Sequence, residues 1–586
     1  MNKMFMLLFY LLVSNLLVSQ TARFVNKTGS CEYPYTSWET ACDSIRPVIE
    51  TANDGDTIYV GEGVFIDTLD IYKELTIIGL GIDKSVINCD NLRPIFINVY
   101  ASQLFLKNLK LIGTETQSIT RYSVLIYTEN STELFVESCM FDNTEHGIVN
   151  YVGNTNINNC VFRYSNESAV VASLSSNPNY SRTIIKNSVF DCLEGLGKII
   201  SFEGRYLEFR NNICLNSLTF GIHSVTCDTM IVENNIISTI QSGLSVQHAR
   251  GKVRVVNNVF HNGMGSSNSS AIYVVRSPRV EFYNNIVYRY PQAVELRREI
   301  DSYDLDYNCI YRNTRWFDDT VSVGVNNIIK NPMFFKTPGG SEQPEEFDLR
   351  LQKYSPCINQ GHPDIIDPDG TRSDIGVYGG PFGMAYEYED LPPAIPAYLG
   401  LTTINDSTFK IYWNASTESD LAGYKIYMGE KTTFEPSVNN LISTTDTNTF
   451  TFQESLTENR YIKITSYDNQ GNESESGEVL SIIVTELEFR GEKEYEYKLF
   501  QNYPNPFNPF TKLRFSLLKP GRVIIKIFNI KGELIKKLVD LEYDRGSYEL
   551  NIKTTNLSSG IYIVNMLVLE NRKVQFSAST KITVLK

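Results

Sequence analysis

The feature that most constrains this chain is a recurring asparagine, with apolar residues alternating before it and another small polar residue after it. The segments LEFRNNI, IVENNII, RVVNNVF and EFYNNIV carry the full pattern. Looser copies are FLKNLKL, FVESCMF, NINNCVF, IIKNSVF and DYNCIYR. Aligned on the first asparagine-like residue, the copies fall at Asn108, Ser138, Asn159, Asn187, Asn211, Asn234, Asn257, Asn284 and Asn308. The successive spacings are 30, 21, 28, 24, 23, 23, 27 and 24. A period in the twenties describes a solenoid, in which each repeat stacks on its neighbours. The leucine consensus of leucine-rich repeats is missing. Isoleucine, valine and phenylalanine at period two predict strands instead.

A second short strand follows about ten residues after each asparagine pair, starting at Gly221, Gly243, Ala271 and Ala293. Its register directs Ile222, Leu244, Ile272 and Val294 inward, with Val246, Val274 and Leu296 two positions on. Two or three short strands per turn make one rung of a parallel β-helix, stacked at about 4.8 Å. Like residues then lie above like. The asparagines Asn108, Asn159, Asn187, Asn211, Asn234, Asn257, Asn284 and Asn308 are expected to form a structural ladder, not a catalytic set. Upstream, Trp38, Ala41, Ile45, Ile49 and Ala52 recur at three or four residues, which predicts an amphipathic helix capping the open first rung.

GDTIYVGEGVF at Gly55 and LTIIGLGID at Leu75 resemble the first rungs of right-handed parallel β-helix proteins of the pectate-lyase-like kind. NPMF at Asn331, YSPCINQG at Tyr354 and DIGVYGG at Asp374 resemble the closing segment of bacterial members. The resemblance spans residues 22–385 and implies fold more strongly than activity.

Composition changes at the proline-rich linker Pro392–Pro396. Residues 396–486 alternate short strands and turns as a β-sandwich does. FKIYWNAS with Trp413, SDLAGYKIYMG with Tyr424 and Tyr427, and RYIKITSYDNQGNES with Tyr461 and Tyr467 resemble a fibronectin type III module. The resemblance implies that these rings pack a core and that the module is a spacer. Residues 497–586 hold KLFQNYPNPFNPFTKLRFSL, IKIFNIKGELIKKL, SSGIYIVNML and KITVLK. They resemble the immunoglobulin-like C-terminal sorting domain of the type IX secretion system. That implies a Gram-negative source among the Bacteroidetes and relatives, the type IX machinery as a partner, and release or attachment at the cell surface. The expected fold is therefore all-β: a right-handed parallel β-helix with an N-terminal cap helix, then two immunoglobulin-like sandwiches.

Residues 1–20 fit a signal peptide: Lys3, an apolar run from Met4 to Val13, then small residues at Ser14 and Ser19. A membrane anchor is the alternative, because apolar residues continue to Val18. The ten cysteines of an exported chain permit disulfides. Cys31 and Cys42, read as flanking the cap helix, are the best pair. Cys139 and Cys160 sit on adjacent rungs, either bridged or reduced in a buried file. A net charge of −14 without a dense basic cluster argues against nucleic acid.

The outward column His223, Tyr273, Glu295 and Arg297, with Gln247 beside it, is the candidate binding face. A ring can stack on a sugar, and Arg or Glu can bond its hydroxyls or carboxylates. An ordinary solvated face is the alternative. Asp364, Asp367, Asp369 and Asp374 place carboxylates on one turn, which suits calcium, or else form a solvated turn. No other cofactor is evident. The lyases and hydrolases of this fold carry base-plus-calcium or clustered-aspartate sites, and neither occurs at matched positions. Asp318 and Asp319 lie outside the repeat, and the five histidines fall at different rung positions. Two readings stand: a protein that binds or degrades extracellular polysaccharide as a lyase or glycoside hydrolase, and a non-catalytic adhesin or spacer.

Overall fold

The computed structural model describes residues 20–585, apart from 89–94, 114–123, 129–130, 173–180, 192–196, 218, 262–268, 314, 318–320, 337–347, 406, 455–457, 483–495, 508–509, 554–556 and 571–572. The expected export leader and the pair Asp318 and Asp319 lie outside the described residues. Among the described residues, no helix is long and apolar enough to cross a membrane.

The chain is all-β. Coils of the first part contribute three short strands, as in Lys252–Val256, Val259–His261 and Ser270–Val274, or join two of them in one longer strand, as in Lys198–Arg210 and Phe220–Glu233. Each of the first three pairs in parallel with its counterpart one coil on: Arg279–Tyr283, Ile286–Tyr288 and Gln292–Leu296. Among the described residues, thirty strands, from Ala22–Val25 to Arg315–Phe317, join in one continuous parallel sheet. Strand alternation sends one set of side chains into the coil, and Val253, Val255, Phe260, Ile272 and Val274 are fully buried. The inward Ile222, Leu244 and Val294 are fully buried as well. Parallel stacking superposes like residues, so Phe141, Phe162 and Phe190 form a file with ring centroids 4.5 and 4.8 Å apart.

The two residues of the asparagine pair do different work. Asn108, Asn159, Asn187, Asn211, Asn234, Asn257 and Asn284 have φ between 52 and 57°, and Ser138 takes the same conformation. They turn the chain. The buried ladder is made by the residue after them. The backbone N–H and Nδ2 of Asn212 both donate to Oδ1 of Asn235 (2.8 and 3.1 Å), and Asn235 donates likewise to Asn258. Asn258 donates to Asn285, and Asn285 to Asn308. Asn308 is therefore one position out of the expected alignment. Tyr307, at φ 55°, makes that turn, and Asn308 continues the file to Asn327. Ser188, Cys160 and Cys139 occupy earlier places in the same file. Ser188 accepts the Cys160 N–H, and its own N–H donates to Asn212 Oδ1. Both thiols are free and buried, and burial pushes Cys160 up to about 12.

The capping helix is shorter than the periodicity implied, Ile45–Thr51. Trp38 and Ala41 precede it because Ser30 and Cys31 donate backbone bonds to the carbonyls of Glu39 and Ala41, and Cys31 is disulfide-bonded to Cys42. The disulfide thus closes a loop before the helix and does not flank it. The Asp67 carboxylate accepts the Arg46 N–H and the Ser44 hydroxyl at the helix start. Ile45, Val48 and Ile49 bury against the first coil.

Residues 361–380 lie along the outside of the coils, held by the turn asparagines. Asn234 donates to the carbonyls of Val377 and Gly379, and Asn257 to those of Asp374 and Gly376. Asn284 Oδ1 accepts the His362 N–H.

The same compact unit ends in a sandwich. Gly400–Asn405, Thr408–Tyr412 and Thr449–Gln453 form one antiparallel sheet. Leu421–Gly429, Leu441–Thr445, Arg460–Asp468 and Leu480–Ile482 form the other. Trp413 and Tyr424 are buried between them, rings 5.0 Å apart.

The second unit begins at Ile483 and is a three-plus-four-stranded antiparallel sandwich. Asn502 in its proline-rich entry bonds Thr511 and the Pro504 carbonyl, and Asn505 Oδ1 accepts the Thr583 N–H. The entry is thereby stitched to strands Phe510–Leu517 and Lys573–Val584.

Candidate functional site

Strand pairing places His223, Ser245, Tyr273 and Glu295 in one file across four coils. Their exposure differs. His223 and Ser245 are buried, while Tyr273 and Glu295 are partly open. The His223 ring lies 5.1 Å from Phe220, and burial, with the nearby Lys198 charge, pulls its pKa down to about 4. It is a neutral packing group at ordinary pH. The open surface starts one coil later than the expected column.

Gln247, Tyr273 and Arg297, on three consecutive coils, do come together. With His248, Val275 and Arg298 they line an open depression of about 440 Å³. His248 also lines the adjoining depression, of about 530 Å³, which continues past Arg250, Arg276, Glu299 and Asp301. The two depressions meet at His248, near the ends of the third strands, and are together called the groove. Glu295 supports it from below, holding Arg297 at 2.7 Å and accepting from Ser270.

The groove carries arginines in reach of acids. Arg276 pairs with Glu299 at 3.5 Å and Arg250 with Asp228 at 3.9 Å. Arg276 also donates to His248 Nε2 at 3.1 Å, which makes that nitrogen an acceptor. Exposed pairs of this kind contribute about 0–1 kcal/mol, so an incoming carboxylate or hydroxyl can replace one partner at small cost. The arrangement offers a ring face, planar guanidinium donors and amide groups, a set suited to reversible recognition. Arg250, Arg276, Arg298, Glu299 and Asp301 lie past the strand ends, beyond the alternation that identifies Tyr273, whereas His248 lies within the strand Ser242–Ala249.

The other outward file, on the strand before the turn, is closed. Lys186, Glu208, Arg210, Glu233, Arg254 and Glu281 form a chain of ion pairs at 2.7–3.0 Å across successive coils. Glu208 and Glu233 are buried, and Arg210 stacks 3.7 Å from the Phe382 ring.

The four turn aspartates are separately employed. Asp367 accepts the N–H groups of Asp374 and Gly380, and burial raises it to about 6. Asp374, also raised by burial, accepts from Asn359 and Tyr388. Asp369 closes a local turn on Thr371, and Asp364 is exposed beside His362. Among the described residues these carboxylates do not gather into a metal-sized group, and neither do the histidines. Asp390, Asp420 and Asp468 do.

Residues 122–287 match the family model described as a right-handed β-helix region, and residues 501–578 match that of the secretion system C-terminal sorting domain. No curated protein matches the chain. Among solved structures, dimeric latent PorU from Porphyromonas gingivalis is 15% identical over 35% of this chain and 21% of its own, with a TM-score of 0.14. The FN1–FN3 domains of chicken CNTN1 are 11% identical over 36% of this chain and 73% of theirs, also at 0.14. The two matched regions support a secreted or cell-surface β-helix protein of the kind Bacteroidetes-type Gram-negative bacteria export.

Proposed function

We propose that the chain binds an extended extracellular polysaccharide lengthwise in the groove of Gln247, His248, Tyr273, Arg276, Arg297 and Arg298, without cleaving it. The observation that carries this reading is that Gln247, Tyr273 and Arg297, from three successive coils, line one open depression. Coils rise by about 4.8 Å, close to the length of a sugar unit, so a linear glycan meets a new coil with each residue or so. The Tyr273 ring would stack on a sugar face, and Arg297 and Arg298 would bond carboxylates. Uronate-containing chains fit best, because Arg297 and Arg298 line the first depression with no carboxylate among its lining residues. The fibronectin-like sandwich serves as a spacer, and the turn aspartates are read as structural.

The test is calorimetric titration of the purified chain with a panel of neutral and uronate polysaccharides, with reducing and unsaturated ends assayed in the same samples. Tyr273→Ala and Arg297→Ala should each weaken binding at least tenfold, about 1.4 kcal/mol, with no new chain ends. Equal binding by both variants, or steady release of ends, contradicts the reading.

A further inference from the structure

We propose that Asp390, Asp420 and Asp468 bind a calcium ion that clasps the tail of the β-helix to the sandwich following it. One carboxylate oxygen from each lies within 4.8 Å of the others. Asp420 and Asp468 are 7% and 2% exposed. Oδ1 of Asp420 and Oδ1 of Asp390 are shielded from solvent and accept no hydrogen bond. A buried carboxylate oxygen without a donor is costly unless a cation satisfies it.

The three groups come from segments fixed independently of any ion. Asp390 follows a strap tied to the β-helix tail by the Lys353 N–H to the Glu389 carbonyl (3.0 Å) and by Tyr388 to Asp374 (2.8 Å). Asp468 pairs in register with Leu421, which brings Asp420 alongside it, and the Asn469 N–H donates to the Asp420 carbonyl. The Asp468 carboxylate is oriented by the N–H groups of Gln470 and Asn472. An all-carboxylate set without His or Cys suits a hard cation, and calcium tolerates irregular coordination better than octahedral magnesium does.

The full-length chain, stripped with EDTA, should bind one calcium per molecule on calorimetric titration. A dissociation constant of about 10⁻⁴–10⁻³ M or tighter is expected, as for extracellular modules. Asp420→Asn and Asp390→Asn should each weaken binding at least tenfold, while Asp369→Asn, in the other acidic turn, leaves it unchanged. Asp390 lies outside the sandwich core, so its variant tests the site even if Asp420→Asn fails to fold. Calcium should also slow proteolysis between residues 390 and 396 in the parent and not in Asp390→Asn. Absence of calcium binding, unchanged binding in Asp390→Asn, or loss confined to Asp369→Asn overturns the proposal.

Discussion

At the residue scale, neighbouring asparagines solve two problems. The first tolerates the left-handed conformation because its short side chain can bond locally. The second saturates its amide inside the coil. Asn258 Nδ2 reaches the carbonyls of Val232 and Val256 as well as Asn285, and its Oδ1 accepts from Asn235. Asn258→Ala strands several buried partners, each worth about 1–3 kcal/mol, so a loss of about 2–4 kcal/mol is expected from denaturant unfolding. Asn187→Gly keeps the turn and should stay within about 1 kcal/mol. Equal losses would contradict the division of labour. His223 and His261 are both held near pKa 4, chiefly by burial. Their folded values lie below the unfolded value, so the unfolded chain takes up protons first. Stability should be full above about pH 6.5 and fall as the pH drops toward 4, by up to about 3 kcal/mol for each. Replacing both by Asn should flatten the melting temperature between pH 6.5 and 4.5; an unchanged slope places the titration elsewhere.

At the element scale, the coil is legible because the strand before each asparagine pair alternates and ends at a residue that tolerates positive φ. What was lost in reading the letters was a register of one residue. DYNCIYR was aligned on its asparagine, whereas Cys309 and Ile310 pair with Ile286 and Val287, which makes Tyr307 the turn residue. Letter identity cannot separate two asparagine roles where a tyrosine takes one of them. The helix was overextended because an apolar spacing of three or four does not reveal that Ser30 and Cys31 already occupy the carbonyls of Glu39 and Ala41. The closing segment was recognised as a motif, but its docking onto Asn234, Asn257 and Asn284 is contact between residues more than 75 apart. Asn257→Gly preserves the turn and removes that grip. Hydrogen exchange should then speed up at least tenfold at Asp374–Gly380 while Lys252–Val256 stays protected. Uniform change across both segments would contradict a local docking role.

At the scale of the whole molecule, stacking turns a sequence period into a spatial one: residues some two dozen apart become neighbours. Tyr273 and Arg297 were found this way, since strand alternation carries that far. Much of the groove is not legible this way, because Arg276 and Glu299 belong to turns whose directions alternation does not determine. His223 was misjudged as accessible because register gives direction but not cover. The calcium clasp escaped notice because its three aspartates lie 30 and 48 residues apart, in two differently folded parts of the chain. The groove's ligand tests the account most directly, through hydroxyl-radical footprinting of the full chain with and without a bound uronate polysaccharide. Protection should appear at Gln247–His248, Tyr273–Arg276 and Arg297–Glu299, three patches about two dozen residues apart. Protection confined to the sandwich at 396–486, or spread without that period, would contradict a glycan lying along the coils.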